Sequence, residues 1–389
     1  MLMRPLTCLL LLALFFDAET AEAQASAVDD PPTVSSVQLK SESGTGKRLM
    51  GRVVAQTQDG SILLEERSGR VHVVSSDRID QLTDQGILFQ PLTVDEMAAE
   101  LLRQTGAGFA IHRTDNYVIC SDASEVDTEF CGRLLQRVAE EYQQFFADSE
   151  ITLRAVPRQL PVIIFRDTVR FQEFARQQHP DTDFADVPGY YSVRDNQMLI
   201  TAVSGDREFR TNGQLIRELK NEPRQVETVV HEAVHQLAFN TGLQVRYADN
   251  PLWLSEGLAV YFEHAAGSSN TVWHRPGGVG RLHFGGFRQA SAEGRLRLPL
   301  SELLTSDKAF QTAGQNADAY AESWALVHFL VRTDRAAFDR YLVKLQKRTP
   351  LRAVPGSTRL KELQQATGMT ANELEASLLR YMARLRSPR

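Results

Sequence analysis

Two histidines and a glutamate stand close together near the middle of the chain, and their types and spacing indicate metal chemistry. His231-Glu232-Ala233-Val234-His235 places two imidazoles at positions i and i+4, which lie on one face of a helix. Zinc hydrolases hold their metal with this pattern, and the glutamate between the histidines serves as their general base. The motif is short enough to arise by chance, so its flanking residues have to support it.

The flanking residues predict that the motif lies on a helix. Pro223 suits a first helical turn, and the segment 240–242, Asn-Thr-Gly, is typical of a helix end. Between these two points, apolar side chains form a stripe that is expected to be buried: Val226, Val229, Val230, Val234 and Leu237. We therefore expect both histidines to project from one helix.

A zinc site of this kind needs a third protein ligand and an open position for water. Glu256 is the best candidate, because it lies in a second, strongly apolar helix that Asn250 is predicted to cap and Pro251 to begin. Gly257 follows Glu256, and its missing side chain is expected to let this helix approach the first one closely. The other large arrangement of zinc peptidases has a glycine and then a third histidine soon after the HExxH motif. That arrangement is excluded, because Ala238 and Thr241 stand at those two positions here.

These features resemble the gluzincin, or peptidase MA-like, clan of zinc metallopeptidases. In that clan HExxH is followed by a helix with glutamate in a Trp-x-x-Glu-Gly-x-Ala setting, which is formed here by Trp253, Glu256, Gly257 and Ala259. The similarity is closest to uncharacterised exported bacterial proteins with this domain. It implies an α+β, thermolysin-like catalytic domain with a small mixed sheet, the active-site helix beneath it and a mostly helical second lobe.

The resemblance also implies roles for individual residues. The two motif histidines and Glu256 would hold Zn²⁺, and Glu232 would accept a proton from the zinc-activated water that attacks a peptide bond. Many members of the clan stabilise the oxyanion with a tyrosine or histidine of the helical lobe, and Tyr320 is the candidate here. The alternative for Tyr320 is a core side chain packed against Trp324.

Two further polar residues follow Glu256 on the same predicted helix. Ligating histidines usually need a carboxylate or carbonyl on the far ring nitrogen, and several gluzincins supply it from an acid four residues after the glutamate. Val260 stands at that place in this chain. Glu263 and His264 lie farther along, and we expect structural or supporting roles for both rather than direct binding of the metal.

The N-terminus predicts export. Arg4 precedes an apolar run from Leu6 to Phe16, and Ala21-Glu22-Ala23 offers a small-x-small cleavage site. Residues 1–23 are therefore predicted to be a secretory signal peptide, and the chain to be periplasmic or extracellular. The apolar run is too short to cross a membrane comfortably, so no integral membrane span is expected.

The remaining chain is predicted to have three parts. Residues 24–46 read as a flexible linker, and 47–90 as a small β-meander or SH3-like unit with Asp-Gly and Ser-Gly turns. Residues 91–389 are predicted to form the metallopeptidase domain. Within it, a hairpin over 189–201 precedes the motif helix, and Tyr190 and Tyr191 either border the cleft or pack across strands. A Gly-rich stretch, 277–286, is predicted to be a mobile loop over the cleft.

Composition limits the partners. The net charge of −6 argues against nucleic acid as the main partner, and the 42% hydrophobic content suffices for a large core. The expected partner is a peptide or protein substrate, and the oligomeric state stays open. Cys120 and Cys131 form either a disulfide or two buried thiols. The alternative function is that of a catalytically silent cell-envelope binding protein built on a peptidase fold.

Overall fold

The chain folds into two five-stranded sheets and a mostly helical C-terminal half, which is an α+β fold. The computed structural model describes residues 32–40, 46–156, 159–185, 187–205, 207–267 and 271–386. The predicted signal peptide, residues 1–23, lies outside the described residues. Among the described residues, no helix combines the length and the apolar character needed to cross a bilayer.

The first sheet is antiparallel and precedes the His231–His235 motif in the chain. Its strands are β1 (Thr33–Leu39), β2 (Arg48–Gln56), β3 (Ile62–Glu65), β4 (Val71–Val74) and β5 (Ile79–Leu88). They are arranged in the order β4-β3-β2-β1-β5. The turns between β2, β3 and β4 use glycines with positive φ, Gly60 and Gly69, as the Asp-Gly and Ser-Gly pairs predict.

The predicted linker needs a correction, because β1 lies inside residues 24–46. This strand pairs with both β2 and β5, so it belongs to the sheet. Its central residues Ser35, Ser36 and Val37 are buried, and Val37 is fully buried. The two adjacent serines interrupt the apolar–polar alternation by which a strand is recognised in a sequence.

The second sheet is mixed and carries the motif helix. Its strands are β6 (Ala110–Arg113), β7 (Tyr117–Ser121), β8 (Leu160–Phe165), β9 (Gly189–Ser192) and β10 (Gln197–Thr201). Their order is β6-β7-β8-β10-β9, with β7, β8 and β10 parallel and β6 and β9 antiparallel to their neighbours. The edge strand β9 therefore lies at the side of the sheet next to the motif.

The helices enclose this sheet and build the second lobe. In the first half they are α1 (Val94–Thr105), α2 (Glu125–Ala147), α3 (Thr168–Gln178), α4 (Asn212–Asn221), α5 (Arg224–Asn240) and α6 (Leu252–Glu263). The remainder are α7 (Arg281–Ala290), α8 (Leu300–Thr305), α9 (Lys308–Gln311), α10 (Asn316–Thr333), α11 (Arg335–Leu345), α12 (Gly356–Thr367) and α13 (Ala371–Arg384). Helix α1 starts with a capping box in which the Thr93 hydroxyl and the Glu96 carboxylate each accept the other residue's backbone N–H.

The main hydrophobic core surrounds α5. This helix packs against α2, α6, β9 and β10, and its predicted apolar stripe is buried. Gln236, also on α5, is fully buried, and its side-chain amide donates to the carbonyl of Pro161 on β8. This bond fixes the helix to the sheet and thereby sets the depth of the histidines.

The first sheet docks on the hairpin next to the motif. Ala55, Leu63 and Val71 share a hydrophobic cluster with Tyr191 and Phe239. At the border, the Val71 amide donates to the Arg194 carbonyl over 2.7 Å, and the Arg70 guanidinium lies 2.6 Å from the Asp195 carboxylate. The first sheet is thus attached to the β9–β10 hairpin through main-chain and charged contacts.

Candidate metal centre

Helices α5 and α6 bring the three predicted ligands together in the core. His231 and His235 project from α5, and Glu256 projects from α6, with all three residues at most 2% exposed. Helix α6 begins at Leu252, and Asn250 does not cap it as predicted; its side-chain amide donates instead to the carbonyls of Val245 and Ala248.

Gly257 sets the position of α6, although its close neighbour differs from the prediction. A Cβ atom at this position would lie 2.6 Å from the carbonyl oxygen of Ser323 on α10. The glycine therefore permits close packing of α6 on α10, not of α6 on α5. Because α6 is pressed against α10, its Glu256 face is held toward α5.

The inward-facing atoms of the three residues form one compact cluster. His231 Nε2 lies 2.9 Å from His235 Nε2 and 3.2 Å from a Glu256 carboxylate oxygen. The other Glu256 oxygen lies 3.6 Å from His235 Nε2. Each residue thus offers one ligand atom, and these three atoms lie within 4.8 Å of one another.

Glu263 determines which nitrogen of His231 faces this cluster. Its Oε1 atom lies 2.5 Å from His231 Nδ1, so the Nδ1–H donates to the carboxylate and the lone pair of Nε2 points inward. Three electron-pair donors that converge in a buried place suit a metal cation.

The charge of Glu256 agrees with such a site. Burial raises the pKa of this carboxyl, but the neighbouring His235 and His231 outweigh burial and lower its pKa to about 2. Glu256 is therefore an anion over the ordinary pH range, and a carboxylate is the form that binds a metal.

Glu232 contacts the edge strand of the second sheet. One of its carboxylate oxygens accepts the backbone N–H of Tyr191 on β9 over 2.8 Å. The residue is 2% exposed, so this carboxylate is buried next to β9.

The two tyrosines of the hairpin are packing residues. Tyr190 lies in an aromatic cluster with Phe171 and Phe184, and Tyr191 stacks on Phe239. Both are fully buried. Of the two alternatives that the sequence leaves open, the structure therefore favours cross-strand and core packing over exposure in a cleft.

Tyr320 lies at a cavity that is also lined by one of the three predicted ligands, His231. It lines a cavity of about 30 Å³ together with His231, Val260 and Glu263. Its ring packs edge-on against Phe310, and the residue is 7% exposed. The role of its hydroxyl stays a prediction.

A second cluster of ligand-type atoms lines the same cavity. Glu263, His264 and His283 each offer one ligand atom, and these atoms lie within 4.8 Å of one another. Burial lowers the pKa of His264, but the Glu227 and Glu263 carboxylates outweigh burial and raise it. The sequence indicates a supporting role for Glu263 and His264, whereas His283 and Glu227 are recognised only in three dimensions.

The Gly-rich stretch is packed on this cluster, which corrects the predicted loop. A Cβ atom at Gly280 would lie 1.9 Å from His264 Nε2, and one at Gly278 would lie 2.2 Å from the carbonyl oxygen of Ala265. Gly285 and Gly286 lie within helix α7. Gly278 and Gly280 therefore allow the chain to approach His264 closely.

The two cysteines are separate buried thiols in the structure. Burial raises the pKa of both, and it does so most for Cys131. Of the two alternatives, the structure thus has free thiols instead of a disulfide.

Residues 225–352 match the family described as "Protein of unknown function (DUF1570)". The matched segment extends from helix α5 past α11. It contains Glu232, Tyr320 and the three predicted ligands His231, His235 and Glu256. No curated protein matches the chain.

Proposed function

We propose that the protein is an exported zinc-dependent metallopeptidase of the gluzincin, peptidase MA-like, type. The observation that carries the proposal is the convergence of His231, His235 and Glu256, with separations between 2.9 and 3.6 Å. Tetrahedral zinc with bonds of about 2.1 Å separates its ligand atoms by roughly 3.4 Å. Two imidazoles and one carboxylate are also the ligands of catalytic zinc sites, which leave a fourth position open.

When bound, zinc supplies Lewis acidity and lowers the pKa of water toward neutrality. The protein's own residues would do the remaining work. Glu263 holds His231 in the tautomer that presents Nε2, and Glu232 is the general base. Its hydrogen bond to the Tyr191 amide fixes the carboxylate beside the edge strand β9, where a substrate could also pair by main-chain bonds.

Tyr320 completes the proposed site as the oxyanion donor. It comes from the helical lobe, on the other side of α6, and it lines the cavity that reaches His231. A hydroxyl at that place can donate to an oxygen that gains negative charge in the transition state.

The finer features of the fold belong to the same proposal. The mixed sheet, the motif helix packed on it and the helical second half are proposed to form a thermolysin-like domain, and the first sheet is proposed to be an SH3-like accessory unit. The proposal of export depends on residues 1–23, with their basic start, apolar run and cleavage site.

The experiment begins with metal content. The purified protein, loaded with zinc and dialysed, should retain zinc in the ligand cluster, and His235→Ala should abolish that binding while circular dichroism stays unchanged. Glu256→Gln should weaken binding less, because the amide oxygen can still coordinate. If Glu256→Gln leaves the affinity of the cluster unchanged, the third ligand lies elsewhere.

Activity is tested with a broad peptide library. The zinc-loaded protein should hydrolyse a subset of peptides, a chelator should stop hydrolysis, and added zinc should restore it. An intact protein that takes up no zinc defeats the proposal.

One observation favours a second candidate function, a catalytically silent binding protein of the cell envelope. The three ligands are buried, and the adjacent cavity of about 30 Å³ holds a water molecule or an ion but not a peptide. Closed zinc sites are typically structural. Zinc retention without hydrolysis of any library peptide would favour this alternative.

A further inference from the structure

A second cluster of metal-type ligands lies behind His231. Its members are Glu263 on α6, His264 directly after α6, and His283 on α7. Glu263 Oε2 lies 3.9 Å from His264 Nε2 and 3.8 Å from His283 Nε2. These separations are too long for hydrogen bonds and leave space between the three atoms.

The orientation of His264 is the observation that points to a ligand. This side chain is 92% buried, given its exposed fraction of 8%, and its Nε2 atom has no hydrogen-bond partner among the described residues. Its other nitrogen, Nδ1, lies 3.4 Å from a Glu227 carboxylate oxygen. A carboxylate on Nδ1 holds the proton there and leaves a lone pair on Nε2, the atom that lies 3.9 Å from Glu263 Oε2. Burying such an atom without a partner is costly.

We propose that Glu263, His264 and His283 form a second transition-metal site, next to the site formed by His231, His235 and Glu256. Two imidazoles and a carboxylate suit Zn²⁺ or a similar divalent ion. The cavity that these residues line has a volume of about 30 Å³, which accommodates an ion with one bound water. This inference goes beyond the proposed function and does not depend on catalysis.

Glu263 would connect the two sites. One of its oxygens accepts the His231 Nδ1–H at 2.5 Å, and the other faces His264 and His283. A cation on the second oxygen draws electron density from the carboxylate, so it weakens the carboxylate as an acceptor for His231. Occupation of the second site should therefore lower the zinc affinity of the first, and by linkage the reverse should also hold.

Metal stoichiometry tests the proposal on the whole protein. Zinc-loaded wild-type protein should contain two zinc ions per chain, and both His283→Gln and His235→Ala should contain one. The double variant should contain none. His274→Gln is a matched control, because His274 belongs to neither cluster, and it should retain two. Circular dichroism and thermal melting would establish that each variant is folded.

Cobalt titration of the wild-type protein provides a measurement that needs no variant. If two equivalents of Co²⁺ bind one after the other, each with the visible absorption of tetrahedral Co²⁺, the protein has two sites. His283→Gln should then bind only one equivalent. A wild-type stoichiometry of one zinc, retained in His283→Gln and lost in His235→Ala, would overturn this inference and leave the proposed function intact. The opposite pattern, with zinc lost in His283→Gln and retained in His235→Ala, would support the second site and contradict the proposal that His231, His235 and Glu256 bind zinc.

Discussion

Glu263 Oε1 lies 2.5 Å from His231 Nδ1, and this contact joins the two helices that form the metal cluster. Glu263 stands seven residues after Glu256, two turns along α6, so both carboxylates face α5. One carboxylate lies at the inward nitrogen of His231 and the other at its outward nitrogen. Val260 stands four residues after Glu256, so the carboxylate at His231 Nδ1 comes from Glu263, about one turn farther along α6.

Glu263→Gln should therefore weaken zinc binding at the first site. The amide oxygen can still accept the Nδ1–H, but it lacks the negative charge that raises the basicity of the imidazole, so affinity should fall by roughly 10–100-fold. Competition with a chromophoric chelator measures this change. Glu293→Gln is the matched control, since Glu293 is exposed and forms an ion pair with Arg295. Equal affinities for Glu263→Gln and wild type would exclude the orienting role.

Tyr320→Phe tests the proposed oxyanion donor. The ring and its contact with Phe310 remain, so the fold should be preserved, while kcat should drop roughly a hundredfold with KM little changed. Tyr381→Phe serves as the control, because its hydroxyl contacts His328 Nδ1 at 2.9 Å in the same helical lobe. If Tyr320→Phe keeps the wild-type kcat, Tyr320 is a packing residue.

Glu322 gives the protein a pH-dependent stability that is independent of the metal cluster. This α10 residue is fully buried, and one of its oxygens accepts only a 3.3 Å bond from the Leu298 amide. Burial, with smaller contributions from Asp318 and Glu375, raises its pKa from 4.5 to about 8. Between these values the unfolded chain has lost the proton and the folded chain has kept it, so stability falls as pH rises.

Glu322→Gln should remove this dependence. Relative to wild type, the variant should gain free energy of unfolding between about pH 5 and pH 8, by up to about 1.4 kcal/mol per pH unit. Chemical denaturation of both proteins at several pH values measures the difference. Because both carry the same metal ligands, the contribution of the metal cancels. A difference that does not vary with pH contradicts a buried, protonated Glu322.

The local signals of the sequence are sufficient to predict the motif helix and the grouping of His231, His235 and Glu256. The apolar stripe of α5 and the i, i+4 spacing place His231 and His235 together, and the apolar α6 places Glu256 opposite them. Local signals are weaker where the contact partner is distant in the chain. Gly257 indicates a close approach, but only the three-dimensional packing shows that the partner is α10.

Strand β1 and the second cluster were missed for related reasons. The strand lies in a polar stretch in which two adjacent serines interrupt the apolar–polar alternation, and its pairing with β5 bridges a long chain separation. His283 reaches Glu263 because the Gly-rich segment returns the chain to α6. Neither contact leaves a periodic pattern in the sequence.

Hydrolysis by Glu232→Gln tests the central proposal most directly. Glu232 follows His231 on α5 and accepts the Tyr191 amide N–H, a bond that the glutamine oxygen can also accept, so glutamine should preserve the fold and the bound zinc. We predict that the zinc-loaded wild-type protein cleaves library peptides, and that Glu232→Gln, with the same zinc content, is slower by orders of magnitude. Wild-type rates in Glu232→Gln, or zinc-loaded wild-type protein that cleaves no peptide, would contradict the account.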